Sequence, residues 1–311
     1  MSPKEDISEK WREIQGEIVK YGEFAQATYD AFDFDSFSEY CGSCRYNENR
    51  LFDKLGLNKH GYKVTKYIYA MSHIDLPRWL ERSHLVSLGG QMEQILKLDG
   101  IHRSALPLLT AYEAASSLPG LHVSIISFDA PRVRNIAFRD ELHQMGIKTL
   151  RTVGKQDLVP RMPGLVFNES LQKFDDITGT LDWVYTHVGA ELKLDVWSSP
   201  YLKHRFNALG FHMLETYLHL VDGFHSKTST FRSDGRRDVA LVNKTCDMLV
   251  DELRIPHFWY QLANKGLECN EHGRWVKPKR DPEDIPFPTS QTHTHVIEMQ
   301  ENYGLIPLFS L

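Results

Sequence analysis

Two polar side chains in the second half of the chain have the types and positions that proton-transfer chemistry needs. Asp157 lies in the loop GKQDLVP, directly after a predicted strand over Ile147–Val153, and His212 opens the amphipathic segment HMLETYLHLV. In open parallel sheets, reactive groups stand on loops after the carboxyl ends of strands. A carboxylate at Asp157 that bonds one imidazole nitrogen of His212 leaves the other nitrogen to accept a proton. The alternative is that neither residue is catalytic, because loop aspartates are usually solvated and histidines at helix starts are usually structural.

The elements around Asp157 predict an α/β fold. His122–Phe128 is a continuous apolar run, typical of a strand buried on both faces. Asn135–Met145 has helical spacing and stops before Gly146, and Ile147–Val153 alternates as a strand. A strand, helix and strand of this length imply a parallel pair with a right-handed crossover. We therefore expect a mainly parallel sheet with helices on both faces.

The other elements are read from apolar periodicity. Tyr62–Met71 is rich in aromatic and β-branched residues and predicts a strand. Residues 73–120 show no strand of ordinary length. The predicted helices span residues 7–32, with a possible break at Gly16 or Gly22, and residues 91–97, 105–117, 212–221 and 237–254; Glu191–Val196 predicts a short strand.

Composition and charge argue against several classes of protein. The net charge of −5 gives no reason to expect nucleic acid as a partner. No apolar run approaches the roughly 18 residues of a membrane-spanning helix, and the start MSPKEDISEK has neither signal-peptide nor transit-peptide character, so at face value the chain is cytosolic. Cys41 and Cys44 form a CxxC pair, but Cys246 and Cys269 do not form the second close pair of a zinc site. We expect no metal and no cofactor.

Several long strings resemble the plant class 3 lipases, and among them the chloroplast phospholipase A1 (DAD1-like) branch. They are KWREIQ, ISFDAPRVRNIAF, KQDLVPRMPGLVFNE, DWVYTHVGAEL and GFHMLETYLHLVDGF. The similarity runs from Leu106 to Pro288 and also covers Ser8–His84. It implies an α/β-hydrolase-type fold, in a single domain over residues 1–288 followed by a C-terminal tail over residues 289–311.

The resemblance also implies roles for individual residues. In the family, the Asp of the D-x-V-P loop and the His of the H-x-L-E-x-Y-L segment are the acid and base of a catalytic triad. Asp157 and His212 occupy these positions. His187, in YTHVGAEL, matches a family position that we interpret as structural, and we interpret His219 and His225 in the same way.

The nucleophile segment departs from the family pattern. The family carries its serine in a Gly-His-Ser-Leu-Gly-Gly elbow between a strand and a helix, and this chain has no intact Gly-x-Ser-x-Gly. Ser87, in LVSLGG, keeps the second half of the motif and is followed by the helix-like QMEQILKL. Ser104, in GIHRSALPLL, keeps the order Gly, His, Ser and runs into TAYEAASSLPGL. Ser87 is the first candidate for the nucleophile and Ser104 is the alternative, although Ser104 can equally cap a helix.

Further departures surround that segment. Family members have central strands and an oxyanion-hole threonine between the Tyr62–Met71 strand and the elbow, and this chain lacks them before residue 105. We therefore expect an incomplete sheet. A shorter gap falls near Gln15–Glu17. Asp129 and Arg134 stand where the family string has glycine, so a carboxylate or a guanidinium is expected to crowd or recharge the pocket.

The resemblance implies a lipid acyl hydrolase of the phospholipase A1 type. Such an enzyme cleaves the sn-1 ester of a membrane glycerolipid with a Ser-His-Asp triad and without a metal or a diffusible cofactor. The incomplete elbow predicts impaired activity. The alternative is a catalytically inactive lipase-like protein, or a truncated gene product, that retains lipid or partner binding. The expected partner is a glycerolipid at a membrane surface, and the expected location is the chloroplast.

Overall fold

The computed structural model describes residues 3–33, 38–41, 43–68, 106–118, 120–162, 185–224, 231–232, 235–260, 268–269, 271–276, 279–285, 296–301 and 308–309. Its helices are α1 (Pro3–Ala31), α2 (Leu51–Lys54), α3 (Leu106–Ser117), α4 (Ile136–Gln144), α5 (Ala208–His212) and α6 (Leu214–Gly223). Its strands are β1 (Tyr62–Ile68), β2 (Ser124–Phe128), β3 (Lys148–Gly154), β4 (Ala190–Leu194), β5 (Glu268–Cys269), β6 (Trp275–Val276), β7 (Val296–Glu301) and β8 (Leu308–Phe309).

Strands β2, β3 and β4 form a parallel sheet in that order. Ser124 pairs with Lys148 at the start of β2 and β3, and Leu150 pairs with Ala190 where β4 joins. Helix α4 links β2 to β3: the Asn135 side chain accepts the Phe138 N–H at its start, and a left-handed glycine follows its end. The predicted parallel strand–helix–strand unit is confirmed.

Helices cover both faces of this sheet, as the fold class requires. On one face, Phe128 of β2 and Leu194 of β4 pack with buried residues of α1 and α6, such as Ile18 and Leu218. On the other face, Ile125 packs with buried residues of α3 and α4, among them Leu108, Phe138 and Leu142. Neighbouring residues of β2 therefore point into different clusters, so this strand is buried on both sides.

Strand β1 belongs to a second, antiparallel sheet with β7 and β8. Tyr62 pairs with Glu301, and Ile68 pairs with Val296. Phe24 of α1 packs edge-on against Phe52 and Tyr62, with ring centroids 5.2 and 5.0 Å apart, which joins this sheet to the long helix. The predicted strand is confirmed over Tyr62–Ile68, and residues 69–71 lie outside the described residues.

The predicted helix over residues 237–254 is wrong. The segment forms two short 3₁₀ turns, Val239–Asn243 and Asp251–Leu253. Between them the backbone bonds elsewhere: the Asn243 side chain accepts the N–H groups of Met248 and Leu249, at 2.8 and 2.9 Å. Three of the apolar residues that suggested a helix, Val242, Cys246 and Leu249, are buried all the same. A segment that is held by its neighbours can bury side chains without helical geometry.

Two other helix predictions are refined by the structure. Helix α1 is continuous, without a break at either glycine, and α3 agrees with the prediction over residues 105–117. The segment over 212–221 is two helices, because Met213 is extended, with φ −72° and ψ 132°. His212 is therefore the last residue of α5 and does not open α6. The predicted helix at 91–97 lies outside the described residues.

Candidate active site

Asp157 lies just beyond the carboxyl end of β3, in a loop that fixes its side chain. The turn closes with a hydrogen bond from the Asp157 N–H to the Gly154 carbonyl, at 3.2 Å. One carboxylate oxygen, Oδ1, accepts the Val159 N–H at 3.0 Å and so starts the 3₁₀ turn Val159–Arg161. The residue is 2% exposed. A carboxylate this buried needs donors for its remaining lone pairs, and the other oxygen has two.

The first of these donors is Tyr217 of α6. Its hydroxyl donates to Asp157 Oδ2 at 2.8 Å and accepts the Gly154 N–H, also at 2.8 Å. A side chain at Gly154 would crowd this hydroxyl, because a Cβ there would lie 2.9 Å from the tyrosine oxygen. Burial raises the pKa of Tyr217 well above its ordinary value, and the nearby carboxylates of Asp157 and Asp129 raise it further. The phenol therefore stays protonated and acts as a fixed donor.

The second donor is His212, at the end of α5. The Asn207 side chain caps this short helix by accepting the Gly210 N–H at 3.0 Å. Gly210 lies against Met248, where a Cβ would come within 2.2 Å of the sulfur, so the helix sits close to the segment that follows it. His212 Nδ1 and Asp157 Oδ2 are 2.8 Å apart. Since a carboxylate only accepts, Nδ1 carries a proton, and Nε2 can take a proton from a nucleophile when the ring is neutral.

A second carboxylate also faces His212. Asp129 follows β2, and its Oδ2 lies 3.7 Å from His212 Nδ1. Burial lowers the pKa of His212, but the carboxylates of Asp129 and Asp157 outweigh it and raise that pKa to about 9. The expectation that Asp129 recharges the pocket agrees with this geometry. The Arg134 guanidinium, in contrast to the Asp129 carboxylate, lies over the Phe138 ring, 5.4 Å from its centroid.

The structure brings together Asp157 and His212 from the predicted site residues. Ser87, Ser104 and His225 lie outside the described residues. His187 has its pKa lowered to about 3 by burial and by Arg151 and Arg132. His219 bonds the buried Ser199 hydroxyl at 2.9 Å, and burial lowers its pKa to about 4. Both histidines are thus partly buried, and their rings are neutral near pH 7.

The described residues give no sign of a metal centre or a membrane span. Within these ranges, no group of three or more potential metal ligands is arranged to hold an ion. Cys44 is buried beside α2, whereas Cys41 is exposed. No helix of the described part combines the length and apolar character needed to cross a membrane.

Sequence reasoning missed Tyr217, although its position in HMLETY was part of the resemblance. Nothing in the sequence marks a tyrosine five residues after the base as part of the site. The Tyr217 hydroxyl reaches Asp157 because the extended Met213 changes the direction of the chain before α6. The site as described contains a buried carboxylate, an imidazole held by it through Nδ1, and a phenol that fixes the carboxylate. That arrangement can support general-base chemistry at Nε2.

Fold and site together define an α/β hydrolase, and comparison with known proteins narrows the class. The family profile Lipase (class 3) matches residues 45–167. Phospholipase A1-Igamma1, chloroplastic, of Arabidopsis thaliana is 31% identical over 406 aligned positions, which cover 88% of this chain and 79% of the relative. Phospholipase A1-Igamma3, chloroplastic, of the same species is 31% identical over 420 positions, covering 90% and 80%. Phospholipase A(1) DAD1, chloroplastic, also from Arabidopsis thaliana, is 27% identical over 335 positions, covering 72% and 75%. The chain belongs to the class 3 lipase family.

Proposed function

We propose that this chain is a lipid acyl hydrolase of the phospholipase A1 type, which cleaves the sn-1 ester of membrane glycerolipids. The observation that carries the proposal is the 2.8 Å hydrogen bond between His212 Nδ1 and the buried Asp157, at the carboxyl edge of the sheet in a class 3 lipase. The relatives named phospholipase A1 support the substrate class.

The proposed reaction runs through an acyl-enzyme. A serine hydroxyl, that of Ser87 or alternatively Ser104, attacks the ester carbonyl while His212 Nε2 takes its proton. The carbon–oxygen bond to the glycerol then breaks, and the imidazolium returns the proton to the departing alcohol. Water attacks the acyl-enzyme by the same proton transfers and releases the fatty acid. Asp157 stabilises the imidazolium throughout, and no metal or cofactor takes part.

A phospholipid with different acyl chains at its two positions tests this proposal. We expect release of the sn-1 fatty acid, and we expect His212→Gln to abolish it. Asp157→Asn should lower the rate by about 10⁴-fold, because the amide favours the wrong imidazole tautomer. His122→Gln, at an exposed histidine, is the matched control and should leave the rate unchanged. Equal release from both positions, or release that persists in His212→Gln, would overturn the proposal.

A second candidate is a lipase-like protein that binds lipid without cleaving it. The alignment with Phospholipase A1-Igamma1 supports it. Because 88% of a 311-residue chain is about 274 residues, roughly 130 of the 406 aligned positions hold a residue in the relative alone. One oxyanion donor contributes about 3 to 4 kcal/mol to the transition state, so a lost segment that holds one would impair hydrolysis. Vesicle binding by a folded chain that releases no fatty acid is the result that favours this candidate.

We further propose that the site faces a glycerolipid membrane surface. Two aromatic side chains beside it are about half exposed: Trp197 at 51% and Phe206 at 56%. The Trp197 N–H donates to the Asp195 carboxylate at 3.0 Å, and the same carboxylate accepts from Gln156, the neighbour of Asp157, at 2.6 Å. Phe206 packs edge-on against Phe211, with centroids 5.6 Å apart. Exposed aromatic rings close to a lipase site fit the boundary between water and lipid.

We also propose a chloroplast location for the mature protein. The support is the word chloroplastic in the names of the relatives described above. Imaging of a fluorescent fusion of the complete coding sequence in plant cells tests it: plastid fluorescence supports the location, and cytosolic fluorescence contradicts it.

A further inference from the structure

Two carboxylates converge on one imidazole nitrogen because of the sheet topology. Asp129 is the first residue after β2, and Asp157 is the third residue after β3. The two strands are parallel neighbours, so their carboxyl ends meet at the same edge. The Asp129 N–H donates to the Thr152 carbonyl of β3 at 3.1 Å, which completes the last pair of the ladder, Phe128 with Thr152, and ties the backbone of Asp129 to that edge.

The backbone of Asp129 has an unusual conformation. Its φ is +51°, in the left-handed region, and only two other non-glycine residues in the described ranges, Arg254 and Phe258, have positive φ. Aspartate tolerates this region better than most residues, but glycine is the residue without a steric cost there. Strain of this kind persists where surrounding structure over-determines it, and it is concentrated at functional sites.

We propose that Asp129 is a second carboxylate partner of His212, which holds the imidazole in its protonated form together with Asp157 and so sets the pH range in which the site can act as a base. This inference rests on the proposed function only for the role of His212 as a base. The geometry that supports it does not depend on a serine.

The charges around His212 favour the protonated ring. Its side chain is 10% exposed, and those of Asp157 and Asp129 are 2% and 14% exposed. Two carboxylates that lie within 3.7 Å of the same ring nitrogen repel each other in a poorly hydrated space, and a positive charge on the imidazole offsets that repulsion. Tyr217 on α6 adds a neutral donor to Asp157. Among the described residues, the charges that act on this ring are the two carboxylates, one from each strand end.

The arrangement has a consequence for catalysis. With its pKa raised to about 9, His212 is mostly protonated at pH 7, so few molecules can accept a serine proton. The acidic limb of the rate profile should therefore lie well above neutral pH. Removing the Asp129 charge should move that limb to lower pH. Asp129 acts through His212 and is a positioning residue.

Titration of His212 by NMR tests the proposal directly. The full chain carries isotope-labelled histidine, and the His212 signal is assigned by its loss in His212→Gln. Asp129→Asn keeps the shape of the side chain, and Asp129→Gly suits the positive φ, so both variants are compatible with the fold. We expect both to lower the pKa of His212 by at least one unit. Glu191→Gln, which removes a carboxylate paired with Arg151, is the matched control and should leave that pKa unchanged.

Each outcome bears on the proposal. A lower pKa of His212 in both Asp129 variants, with no change in Glu191→Gln, supports it. An unchanged pKa of His212 in Asp129→Asn overturns it. The titration needs neither substrate nor nucleophile. If the chain hydrolyses no lipid but shows the shift, the proposed function is wrong and the role of Asp129 stands. If hydrolysis is present, the acidic limb of its pH profile moves down by the same amount.

Discussion

The Tyr217 hydroxyl joins two elements of the site through one oxygen atom, so Tyr217→Phe is a narrow perturbation. It removes the donor to Asp157 Oδ2 and the acceptor for the Gly154 N–H, both at 2.8 Å. The ring itself is retained, and the residue is 1% exposed, so water cannot replace the lost oxygen without rearrangement. The variant therefore reports on these two hydrogen bonds and on little else.

The expected cost follows from those two bonds. A buried N–H left without an acceptor costs about 1 to 3 kcal/mol, and a hydrogen bond to a charged carboxylate contributes about 1.5 to 3 kcal/mol. Both hydrogen bonds are made by one hydroxyl, and phenylalanine has no polar atom that must be removed from water. The two costs therefore do not simply add. We therefore expect the free energy of unfolding to fall by about 2 to 4 kcal/mol.

Urea unfolding of the full chain at pH 7 measures this difference. Tyr112→Phe is the matched control, because its hydroxyl bonds Glu141 at 2.9 Å on the surface, and its loss should change the free energy by less than about 0.5 kcal/mol. If Tyr217→Phe is no more destabilising than this control, the hydroxyl does not hold the loop that carries Asp157. The account of how Asp157 is fixed would then be wrong.

Two further predictions concern pH and membrane binding. His212 has a folded pKa of about 9, above its unfolded value of 6.5, so it adds about 3 kcal/mol of stability below pH 6.5 that is lost as pH rises towards 9. His187 and His219 have pKa values lowered to about 3 and about 4, so stability also falls as pH drops below 6.5. Unfolding followed across pH should therefore show greatest stability near pH 6.5, and a steady rise up to pH 9 would contradict these signs. Trp197→Ala should weaken binding to phosphatidylcholine vesicles by about tenfold, because a half-exposed indole loses its burial in lipid. Trp259→Ala, at a tryptophan that is 42% exposed, is the control in co-sedimentation, and equal effects would argue against the proposed surface.

Parts of the fold could be predicted because local signals and packing agree there. The unit of β2, α4 and β3 has an asparagine cap, a glycine stop and strands buried on both faces, and each signal is visible in the sequence. The segment over residues 237–254 is the opposite case. Its three-four spacing suggested a helix, but the Asn243 side chain and the neighbouring residues 201–203 take its backbone hydrogen bonds. A pattern of apolar residues does not reveal such long-range partners.

The candidate site could be predicted only in part, for a similar reason. Asp157 and His212 stand in strings that resemble a known family, so their roles came from the resemblance. The contact of Asp129 with His212 depends on the parallel register of β2 and β3, and the contact of Tyr217 depends on the turn at Met213. The first contact joins residues 83 positions apart in the sequence and the second joins residues 60 positions apart, and spacing alone does not encode them.

Fluorophosphonate labelling of the full chain tests the central claim most directly, because the probe reacts only with a serine that a base has activated. The account predicts one labelled serine, Ser87 or alternatively Ser104, with labelling lost when that serine is changed to alanine and in His212→Gln. Ser116→Ala, at an exposed helix serine, should label as the unchanged chain does. A folded chain that takes no label, or labelling that persists in His212→Gln, would contradict the claim that the Asp157–His212 pair serves a serine hydrolase.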